Sequence, residues 1–427
     1  MTPDNLLDEL SARGMIEQIT NEEGLRELLS KPGAVIYVGF DPTADSLHVG
    51  HLLPALTLAR FQRAGHRPVM LIGGATGMIG DPSGRSSERQ LLTMDTVREN
   101  SECMRRQLEQ FVSFEGEPSA LMANNADWTA GVSFLDWLRD VGKYFSVNYM
   151  IAKESVRRRL EDREHGISYT EFSYMLVQAN DFLQLFDRHN CRIQGGGNDQ
   201  WGNITAGTDL VRKARGAEVF GITFPLITTA NGEKFGKSAG NAIWLDPNRT
   251  SPYQFYQFWI RTDDRDAASY LKLFTFLDLD EIAQLTAEHE QSPEKRLAQR
   301  RLAVEMTRLV HGEDGLTAAV SASEALFGKE IEGLSDRDLG DIFADVPSFE
   351  LGRSELAAGL RLTDVLVRAK ACKSKGEAAR TIKGGGVYVN NRRVGDERAT
   401  LTEADLASES MLVLRSGKKN FLLGKVR

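Results

Sequence analysis

A strand–helix–strand pattern near the start of the chain constrains the fold more than any other feature. The stretch AVIYVGF (residues 34–40) is a short apolar run rich in β-branched residues, and PVMLIGG (residues 68–74) is a second. The stretch LHVGHLLPALTLARFQRAG between them repeats its apolar residues with a helical period. Apolar runs of this length are typical of parallel strands that are buried on both faces. The pattern therefore predicts a β-α-β unit with a right-handed crossover.

A second unit of the same kind is predicted at CRIQGG (residues 191–196), WGNITAGTDLVRKA and FPLITT. The residues between the two units have a mainly helical pattern, so they are predicted to be an insertion between two halves of one sheet. The predicted fold class is α/β, with a doubly wound, Rossmann-like parallel sheet of the HxGH type and a helical insertion. In such sheets the ligand binds at the carboxyl ends of the strands, where the strand order reverses.

The rest of the chain changes character. A helical pattern covers residues 252–327, and the tail combines two short helices, a Gly384–Gly386 break and two strands. The sequence thus predicts an α-helical domain followed by a small α+β domain. The predicted boundaries are residues 1–230 for the catalytic domain with its insertion, 231–330 for the KFGKS loop and the helical domain, 331–358 for a linker, and 359–427 for the tail domain.

Charge is distributed unevenly along the chain. The whole chain carries a net charge of −8, whereas residues 361–427 contain 15 Lys and Arg against 7 Asp and Glu, a net charge of +8. A basic tail domain on an acidic body favours a polyanionic partner such as a nucleic acid. Chance clustering on a solvated surface is the alternative.

Membrane and disulfide-rich classes are disfavoured by the composition. No apolar run has the length that a bilayer requires, and the N-terminus has no basic region followed by an apolar core. The three cysteines, Cys103, Cys191 and Cys372, are far apart and not in CxxC spacing. These features predict a protein of a reducing, cytoplasmic compartment, without a membrane partner, a disulfide framework or a structural zinc.

The stretch DSLHVGH (residues 45–51) has the composition of a phosphate-binding helix start. Asp45 or Ser46 is expected to cap the helix, and Gly50 lets a ligand approach the backbone closely. His48 and His51 would share one face of the first turn and donate hydrogen bonds to a reacting phosphate. A zinc site would need a third ligand. Two histidines that merely pack remain an equal alternative for this motif alone.

Three further stretches carry polar groups suited to a nucleotide and an amino acid. NGEKFGKS (residues 231–238) combines two lysines with a hydroxyl on a glycine-bearing loop, which suits a lid over a polyphosphate. GGATGMIGDPSGRSSER (residues 73–89) follows a strand but lacks both the dinucleotide and the Walker A spacing. Tyr174, Gln178 and Asp181 fall on one helical stripe. Solvated turns and an ordinary wet helix face are the alternatives.

Together these stretches resemble the class I aminoacyl-tRNA synthetases, and within them the bacterial-type tyrosyl-tRNA synthetases. HVGH is similar to the HIGH signature and KFGKS to the KMSKS loop. YVGFDPTADSLHVGH, GGATGMIGDPSG, VGKYFSVNYM, SYTEFSYM and GGNDQWGNITAG also look like segments of that family. The resemblance covers nearly the whole chain, and the tail resembles the alpha-L RNA-binding fold.

The resemblance implies a role for each matching residue. At the substrate tyrosine it implies Tyr37 and Asp181 on the phenolic hydroxyl, Asp81, Tyr174 and Gln178 on the α-ammonium, and Gln194 and Gln200 along the pocket. For ATP it implies Gly39, Asp41, Gly50, Gly197 and Asp199 at the adenosine, and Thr43, His48 and His51 at the phosphates. For the leaving pyrophosphate it implies Arg85, Arg89, Lys234, Lys237 and Ser238, with Lys237 also counted as ATP-binding.

The chain departs from the family pattern at three places. Asn180 stands where the family often has tyrosine, and the stretch Gly195-Gly196-Gly197-Asn198 replaces an Ile-Gly-Gly-Ser run. Pro54 falls inside the helix that the sequence starts at Ser46, where a proline costs about 3 kcal/mol in a regular helix. A local kink is therefore expected there.

The reaction that the resemblance implies is tyrosine–tRNA ligation. Tyrosine and ATP would form tyrosyl-adenylate and pyrophosphate, and tyrosine would then pass to the 3′ end of tRNA(Tyr). Mg²⁺ would come with ATP, without a tightly held protein-ligated metal. A homodimer formed through residues 134–150 is also implied. The alternatives are a small-molecule nucleotidylyltransferase, an RNA-binding protein whose catalytic core has decayed, and a tryptophanyl enzyme.

Overall fold

The computed structural model describes most of the chain. The described residues are 5–81, 92–161, 166–233, 235–238, 241–326, 328–331, 333–344, 346–417 and 420–427, except the side chains of residues 154, 155, 158, 159, 237, 238 and 326. The chain divides into two compact units. The first comprises residues 1–246 and 263–298, and the second comprises residues 247–262 and 299–427.

Helices account for much of both units. In chain order they are α1 Leu6–Ala12, α2 Glu22–Leu29, α3 Leu52–Arg63, α4 Thr76–Ile79, α5 Met94–Leu108, α6 Ala126–Thr129, α7 Phe134–Asp140, α8 Val147–Ile151, α9 Glu154–Glu161, α10 Tyr169–His189, α11 Trp201–Arg215, α12 Pro252–Ile260, α13 Asp264–Phe274, α14 Leu279–Gln291, α15 Leu297–Leu326, α16 Asp336–Ile342, α17 Arg353–Ala357, α18 Leu362–Arg368 and α19 Lys375–Lys383.

The strands belong to two main sheets and two short pairs. In chain order they are β1 Gln18–Ile19, β2 Val35–Phe40, β3 Arg67–Ile72, β4 Leu121–Asn124, β5 Cys191–Gly197, β6 Phe220–Phe224, β7 Lys237–Ser238, β8 Asn241–Ala242, β9 Ser348–Leu351, β10 Leu360–Arg361, β11 Val387–Val389, β12 Arg392–Val394, β13 Thr400–Leu401, β14 Met411–Ser416 and β15 Asn420–Val426.

The six-stranded sheet of the first unit confirms the predicted doubly wound fold. Its strand order is β1-β6-β5-β2-β3-β4, and only β1 runs antiparallel to its neighbour. From β2 the chain moves outward through β3 to β4, whereas β5 lies on the other side of β2 and leads to β6. The order therefore reverses between β2 and β5, where the carboxyl ends of the strands are expected to form a ligand crevice.

Apolar packing against this sheet follows the predicted periodicity. Tyr37, Val69 and Leu71 from the strands share one buried cluster with Phe182 of α10 and Leu210 of α11. Burial of this kind contributes about 1.5–3 kcal/mol for each large apolar side chain. The cluster holds α10 and α11 against β2 and β5, and so fixes the helices that reach the carboxyl edge.

Two details of the predicted pattern are corrected. The last strand of the second predicted β-α-β unit is β6, FGITF, so the predicted strand FPLITT begins where β6 ends. The insertion also contains a strand, β4, which pairs in parallel with β3 at the edge of the sheet. Its sequence, LMAN, is too short to give a periodic signal.

The second unit combines helices with a five-stranded sheet of order β12-β11-β14-β15-β9. The tail has two helices, a glycine break and strands, as the sequence predicts. Part of the segment predicted as a linker is folded, because β9 pairs in parallel with β15 and Leu351 and Leu356 lie in the core of the tail. The exact domain boundaries stay a prediction.

In the part of the chain that the structure describes, no helix is both long enough and apolar enough to cross a membrane.

Candidate active site

A cleft of about 790 Å³ opens at the point where the strand order of the six-stranded sheet reverses. The ends of β2 and β5 form its floor, with Gly39 and Phe40 on one side and Gly195 to Gly197 on the other. These glycines keep the strand ends bare. A Cβ atom added at Gly195 would lie 2.9 Å from the Phe224 ring, so a side chain has no room there. A Cβ atom at Gly39, by contrast, would meet no atom within 4 Å, so this strand end leaves open space beside the backbone for a ligand.

The HVGH stretch lines the outer end of the cleft as a 3₁₀ turn, Val49–His51, that leads into α3. The Gly50 N–H donates to His48 Nδ1 over 3.0 Å, and the His48 N–H donates to His51 Nδ1 over 3.1 Å. The two rings lie 4.1 Å apart, centroid to centroid. Because both Nδ1 atoms accept hydrogen bonds, each neutral ring carries its proton on Nε2 and can act there as a donor.

Two expectations for this helix start are wrong. His48 itself caps the turn, whereas Ser46 is buried and bonds within its own loop and to Gln107. Pro54 is the third residue of α3, because the 3₁₀ turn precedes that helix. At this position the backbone N–H has no acceptor within the helix, so proline removes no helical hydrogen bond and needs no kink.

A buried carboxylate lies at the inner end of the cleft. Asp181 of α10 is 1% exposed and accepts hydrogen bonds from Trp128 Nε1 at 2.8 Å and from Asn125 Nδ2 at 3.0 Å. Burial raises the pKa of Asp181 to about 7, although both hydrogen bonds oppose the rise. The group is therefore poised between its neutral and charged forms near neutral pH.

Tyr37 presents an unpaired hydroxyl in the same region. Its side chain is 1% exposed, and its hydroxyl makes no hydrogen bond with any residue that the structure describes. Burial and the Asp181 carboxylate raise the pKa of Tyr37 well above its usual value. Buried hydroxyls are nearly always paired. An orphaned hydroxyl beside a buried carboxylate fits a ligand with a polar group of its own.

Next to Tyr37 and Asp181, a second group of carboxylates lies around Tyr174. The Tyr174 hydroxyl donates to Asp41 Oδ2 over 3.1 Å, and the Thr76 hydroxyl donates to Asp41 Oδ1 over 2.8 Å. Burial, followed by the charges of Asp41 and Asp81, raises the pKa of Tyr174 well above its usual value. Asp41, Asp81 and Tyr174 all line the cleft. Carboxylates that converge in this way favour a cationic group such as an ammonium.

An amide relay connects α10 with the start of α11. Gln200 Nε2 donates to Asp81 Oδ2 over 2.6 Å. Asn203 Nδ2 donates to Gln178 Oε1 over 3.0 Å and to Gln200 Oε1 over 3.1 Å. The relay sets the orientation of both glutamine side chains before any ligand arrives.

Two family models match the chain. The model "tRNA synthetases class I (W and Y)" covers residues 30–328, and the "Tyrosine--tRNA ligase SYY-like C-terminal domain" covers residues 338–424. The chain belongs to the class I tRNA synthetases of this tryptophan and tyrosine type. The first model spans the cleft and both signature stretches, so the resemblance stated from the sequence is confirmed.

Curated relatives match over nearly the full length. A tyrosine–tRNA ligase of Bacillus velezensis is 54% identical over 98% of this chain and 99% of its own, and tyrosine–tRNA ligase 1 of Bacillus subtilis is 53% identical with the same coverage. Among solved structures, a C-terminally truncated mitochondrial tyrosyl-tRNA synthetase of Aspergillus nidulans is 33% identical with a TM-score of 0.69. It covers 76% of this chain, and this chain covers 94% of it.

The structure brings most of the predicted synthetase residues to one place. The predicted residues that line the cleft are Tyr37, Gly39, Asp41, His48, Gly50, His51, Asp81, Tyr174, Gln178, Asp181, Gly197, Asp199 and Gln200. Thr43 is exposed and Gln194 is buried, and neither is among the lining residues. Gln194 lies beside Tyr37 across the paired strands β5 and β2 and is 1% exposed.

Several predicted residues of this synthetase lie outside what the structure describes. Arg85, Arg89 and Lys234 are among them, and for Lys237 and Ser238 only the backbone is described, as strand β7. Their predicted contacts with the leaving pyrophosphate therefore stay predictions. No group of three or more His, Cys, Asp or Glu side chains placed to hold a metal ion occurs among the described residues.

Sequence reasoning missed the residues that hold Asp181 and Asp41. Asn125 and Trp128 follow β4 in the stretch ANNADW, and Thr76 begins α4. A polar cluster just after a strand of a parallel sheet is the signal that would have found them. That signal was hidden because β4 itself was not recognised.

Proposed function

We propose that this protein is a tyrosine–tRNA ligase. It activates L-tyrosine with ATP to tyrosyl-adenylate and pyrophosphate, then transfers tyrosine to the 3′ end of tRNA(Tyr). The observation that carries the choice of amino acid is the unpaired Tyr37 hydroxyl beside the buried Asp181 carboxylate. The phenol of a bound tyrosine can accept a hydrogen bond from the Tyr37 hydroxyl and donate one to Asp181, whose carboxylate can accept more than the two hydrogen bonds from Trp128 and Asn125.

The other end of the amino acid meets the negative charge around Tyr174. Its α-ammonium lies near Asp81, Tyr174 and Gln178, with Gln200 holding Asp81 in place. Asp41 is hydrogen-bonded to Tyr174, so it contributes to this charge as well as facing the ATP side. The tyrosine carboxylate then points toward the HVGH turn, where the phosphates of ATP lie.

Activation is an in-line attack by the tyrosine carboxylate on the α-phosphorus of ATP, with pyrophosphate as the leaving group. The Nε2 donors of His48 and His51 stabilise charge on the transferring phosphorus, and Lys234 and Lys237 stabilise the pyrophosphate. Gly39, Gly197 and Asp199 hold the adenosine. The protein contributes mainly positioning and electrostatic stabilisation. Mg²⁺ enters with ATP, held largely by phosphate oxygens and water.

The basic tail binds the tRNA. Lys373, Arg380 and Lys383 are exposed there. Replacing all three with alanine should weaken tRNA charging and flatten its salt dependence, because phosphate contacts release counterions. Tyrosine-dependent pyrophosphate exchange should stay unchanged, which separates tRNA binding from activation. Point variants suit this test better than removal of the tail, since β9 pairs with β15.

Assembly into a homodimer is the third part of the proposal. Phe134 and Leu135 of α7 are 63% and 76% exposed, and Val147 of α8 is 60% exposed. Large exposed apolar side chains that cluster in this way mark interaction surfaces. Sedimentation of Leu135→Glu should give a monomer, whereas Met94→Glu, at a residue that is 62% exposed but lies on α5, should not. A cytoplasmic location is proposed together with this function.

Pyrophosphate exchange measured with each amino acid in turn tests the central assignment. Exchange should depend on tyrosine. Exchange with tryptophan in its place would favour the tryptophanyl alternative, and exchange without any amino acid would favour a nucleotidylyltransferase. Loss of tyrosine exchange with intact RNA binding would favour a protein that only binds RNA.

A further inference from the structure

The loop that connects β2 with the HVGH turn is held by one helix that lies outside the cleft lining. Residues 41–48 make up this loop, and α5 packs alongside it. Asn100 of α5 donates through Nδ2 to the Pro42 carbonyl over 3.0 Å and is 8% exposed. This contact holds the start of the loop.

A second residue of α5 holds the end of the same loop. Gln107 Oε1 accepts the Leu47 N–H at 2.7 Å, and Gln107 Nε2 donates to the Ser46 hydroxyl over 3.1 Å. Asn100 and Gln107 are two helical turns apart and so share one face of α5. Leu47 is fully buried and stands directly before His48. The side-chain amide of Gln107 therefore fixes the position of the backbone that leads into His48.

The KFGKS hairpin is tied to this same loop by its backbone. The Val49 N–H donates to the Ile243 carbonyl over 2.9 Å, and the Leu245 N–H donates to the Leu47 carbonyl over 2.8 Å. The Asp246 N–H also donates to the Ser46 hydroxyl, over 3.2 Å. Residues 243–246 directly follow β8, the second strand of the hairpin that begins at Lys237. A displacement of Ser46 or Leu47 would therefore move both the HVGH turn and the KFGKS hairpin.

The KFGKS hairpin and the HVGH turn are in close contact at Gly236. It has a φ of +86°, and a Cβ atom there would lie 2.8 Å from Val49 Cγ2. The Ile243 N–H donates to the Gly236 carbonyl over 3.0 Å, which closes the hairpin against the turn. The hairpin base and the HVGH turn therefore pack with no space for an intervening side chain.

We propose that Gln107, assisted by Asn100, is a positioning residue for amino-acid activation. It touches neither substrate, and it acts by fixing the loop that carries His48 and to which the KFGKS hairpin is joined. Near-attack geometry is sensitive to small displacements of the groups that hold the phosphates. The inference rests on the proposed function of these two stretches at the ATP phosphates.

Gln107→Met tests the proposal, because methionine keeps the side-chain volume and removes both amide atoms. We expect kcat for tyrosine-dependent pyrophosphate exchange to fall about tenfold while KM for tyrosine stays within about twofold. Gln107→Glu keeps the acceptor for the Leu47 N–H and should recover most of the rate. In the double variant Gln107→Met with His48→Ala, the two losses should be less than multiplicative, since both act through His48.

Gln62→Met is the matched control. Gln62 is also half-buried, and its amide likewise ties a loop, donating to the Ser113 and Pro118 carbonyls and accepting the Ser113 N–H at 2.8 Å. This loop lies away from the cleft lining. An equal loss of kcat in Gln62→Met, an unchanged kcat in Gln107→Met, or a parallel change in KM for tyrosine would each overturn the proposal.

Hydrogen exchange gives a readout that needs no catalysis. Gln107→Met should speed amide exchange in peptides that cover residues 46–51 and 241–246, and Gln62→Met should not. Unchanged exchange in both peptides would overturn the proposal. If His48→Ala abolishes activation while Gln107→Met has no effect, only this inference fails. If His48→Ala has no effect on activation, the proposed function of the turn fails first.

Discussion

The two ends of the cleft are built in different ways. At the inner end, side chains hold side chains: Trp128 and Asn125 fix Asp181, and nearly all of this set is buried. At the outer end, hydrogen bonds between backbone atoms join the HVGH turn and the residue before it to residues 243–246: the Val49 N–H donates to the Ile243 carbonyl, and the Leu245 N–H donates to the Leu47 carbonyl. His48 and His51 are half-buried, and Gly50 is exposed.

The difference follows from what each end must distinguish. An inner end that recognises one hydroxyl needs a dry site, because an unmatched polar group is costly only where water cannot replace the missing partner. An outer end that receives and releases a polyphosphate needs access and adjustable geometry. Specificity should therefore depend on the inner end, and the rate of activation on the outer end.

Asp181→Asn should have the largest effect, and that effect should be on the choice of amino acid alone. The asparagine amide would place its own donor against Trp128 or Asn125, so one polar group of the site would lose its partner. Selectivity for tyrosine over phenylalanine should fall by at least about a thousandfold. Full selectivity in such sites is about four to five orders of magnitude, a figure known from a tyrosyl enzyme itself. Activation kinetics with both amino acids provide the check, and KM for ATP should stay unchanged.

His48→Ala should have the next largest effect, and on the rate alone. It removes both a donor at the phosphates and the cap of the 3₁₀ turn, so adenylate formation should fall about a hundredfold. Tyrosine binding, measured by equilibrium dialysis, should change little, because the proposed contacts of the amino acid are with Tyr37, Asp181 and Tyr174 and not with this ring. A loss of tyrosine affinity as large as the loss of rate would contradict the division.

Trp128→Phe should change the pH dependence of tyrosine activation. The tyrosine phenol needs the Asp181 carboxylate, so kcat/KM for tyrosine should decline as the pH falls through about 7. The Trp128 hydrogen bond favours the charged form, so its removal raises the pKa of Asp181 and moves the decline to higher pH. A pH profile of kcat/KM measures this shift. Asp181→Asn should lack the decline, and a profile that is the same in all three proteins would refute the assignment.

Tyr37→Phe should have the smallest effect. It removes one neutral hydrogen bond to the substrate, worth about 0.5–1.5 kcal/mol of tyrosine binding. It also removes a buried hydroxyl that has no hydrogen-bond partner in the described part of the chain, so the free energy of unfolding of the free protein should be unchanged or higher. Thermal unfolding with and without tyrosine tests both points together. A clear loss of stability without tyrosine would show that the hydroxyl has a structural partner.

The central strands of the six-stranded sheet and most of the polar lining of the cleft could be predicted from the sequence. Buried strands such as β2 and β3 have a local apolar signature, and the stripe Tyr174, Gln178 and Asp181 follows from helical geometry alone. His48, His51 and Asp81 stand in stretches whose likeness to the synthetases is itself a property of the sequence. These features depend on neighbours within a few residues, which is why they can be predicted.

Only the tertiary structure decided how those residues are held. Trp128 is 53 residues away from Asp181 along the chain, and Gln107 is 60 residues away from Leu47. The periodicity of the sequence cannot predict such pairs, because each pair depends on how β4 and α5 pack beside the strands that carry the site. The same holds for the helix start. Only the backbone hydrogen bonds of the folded chain show that His48 caps the turn and that Pro54 lies where it removes no helical hydrogen bond.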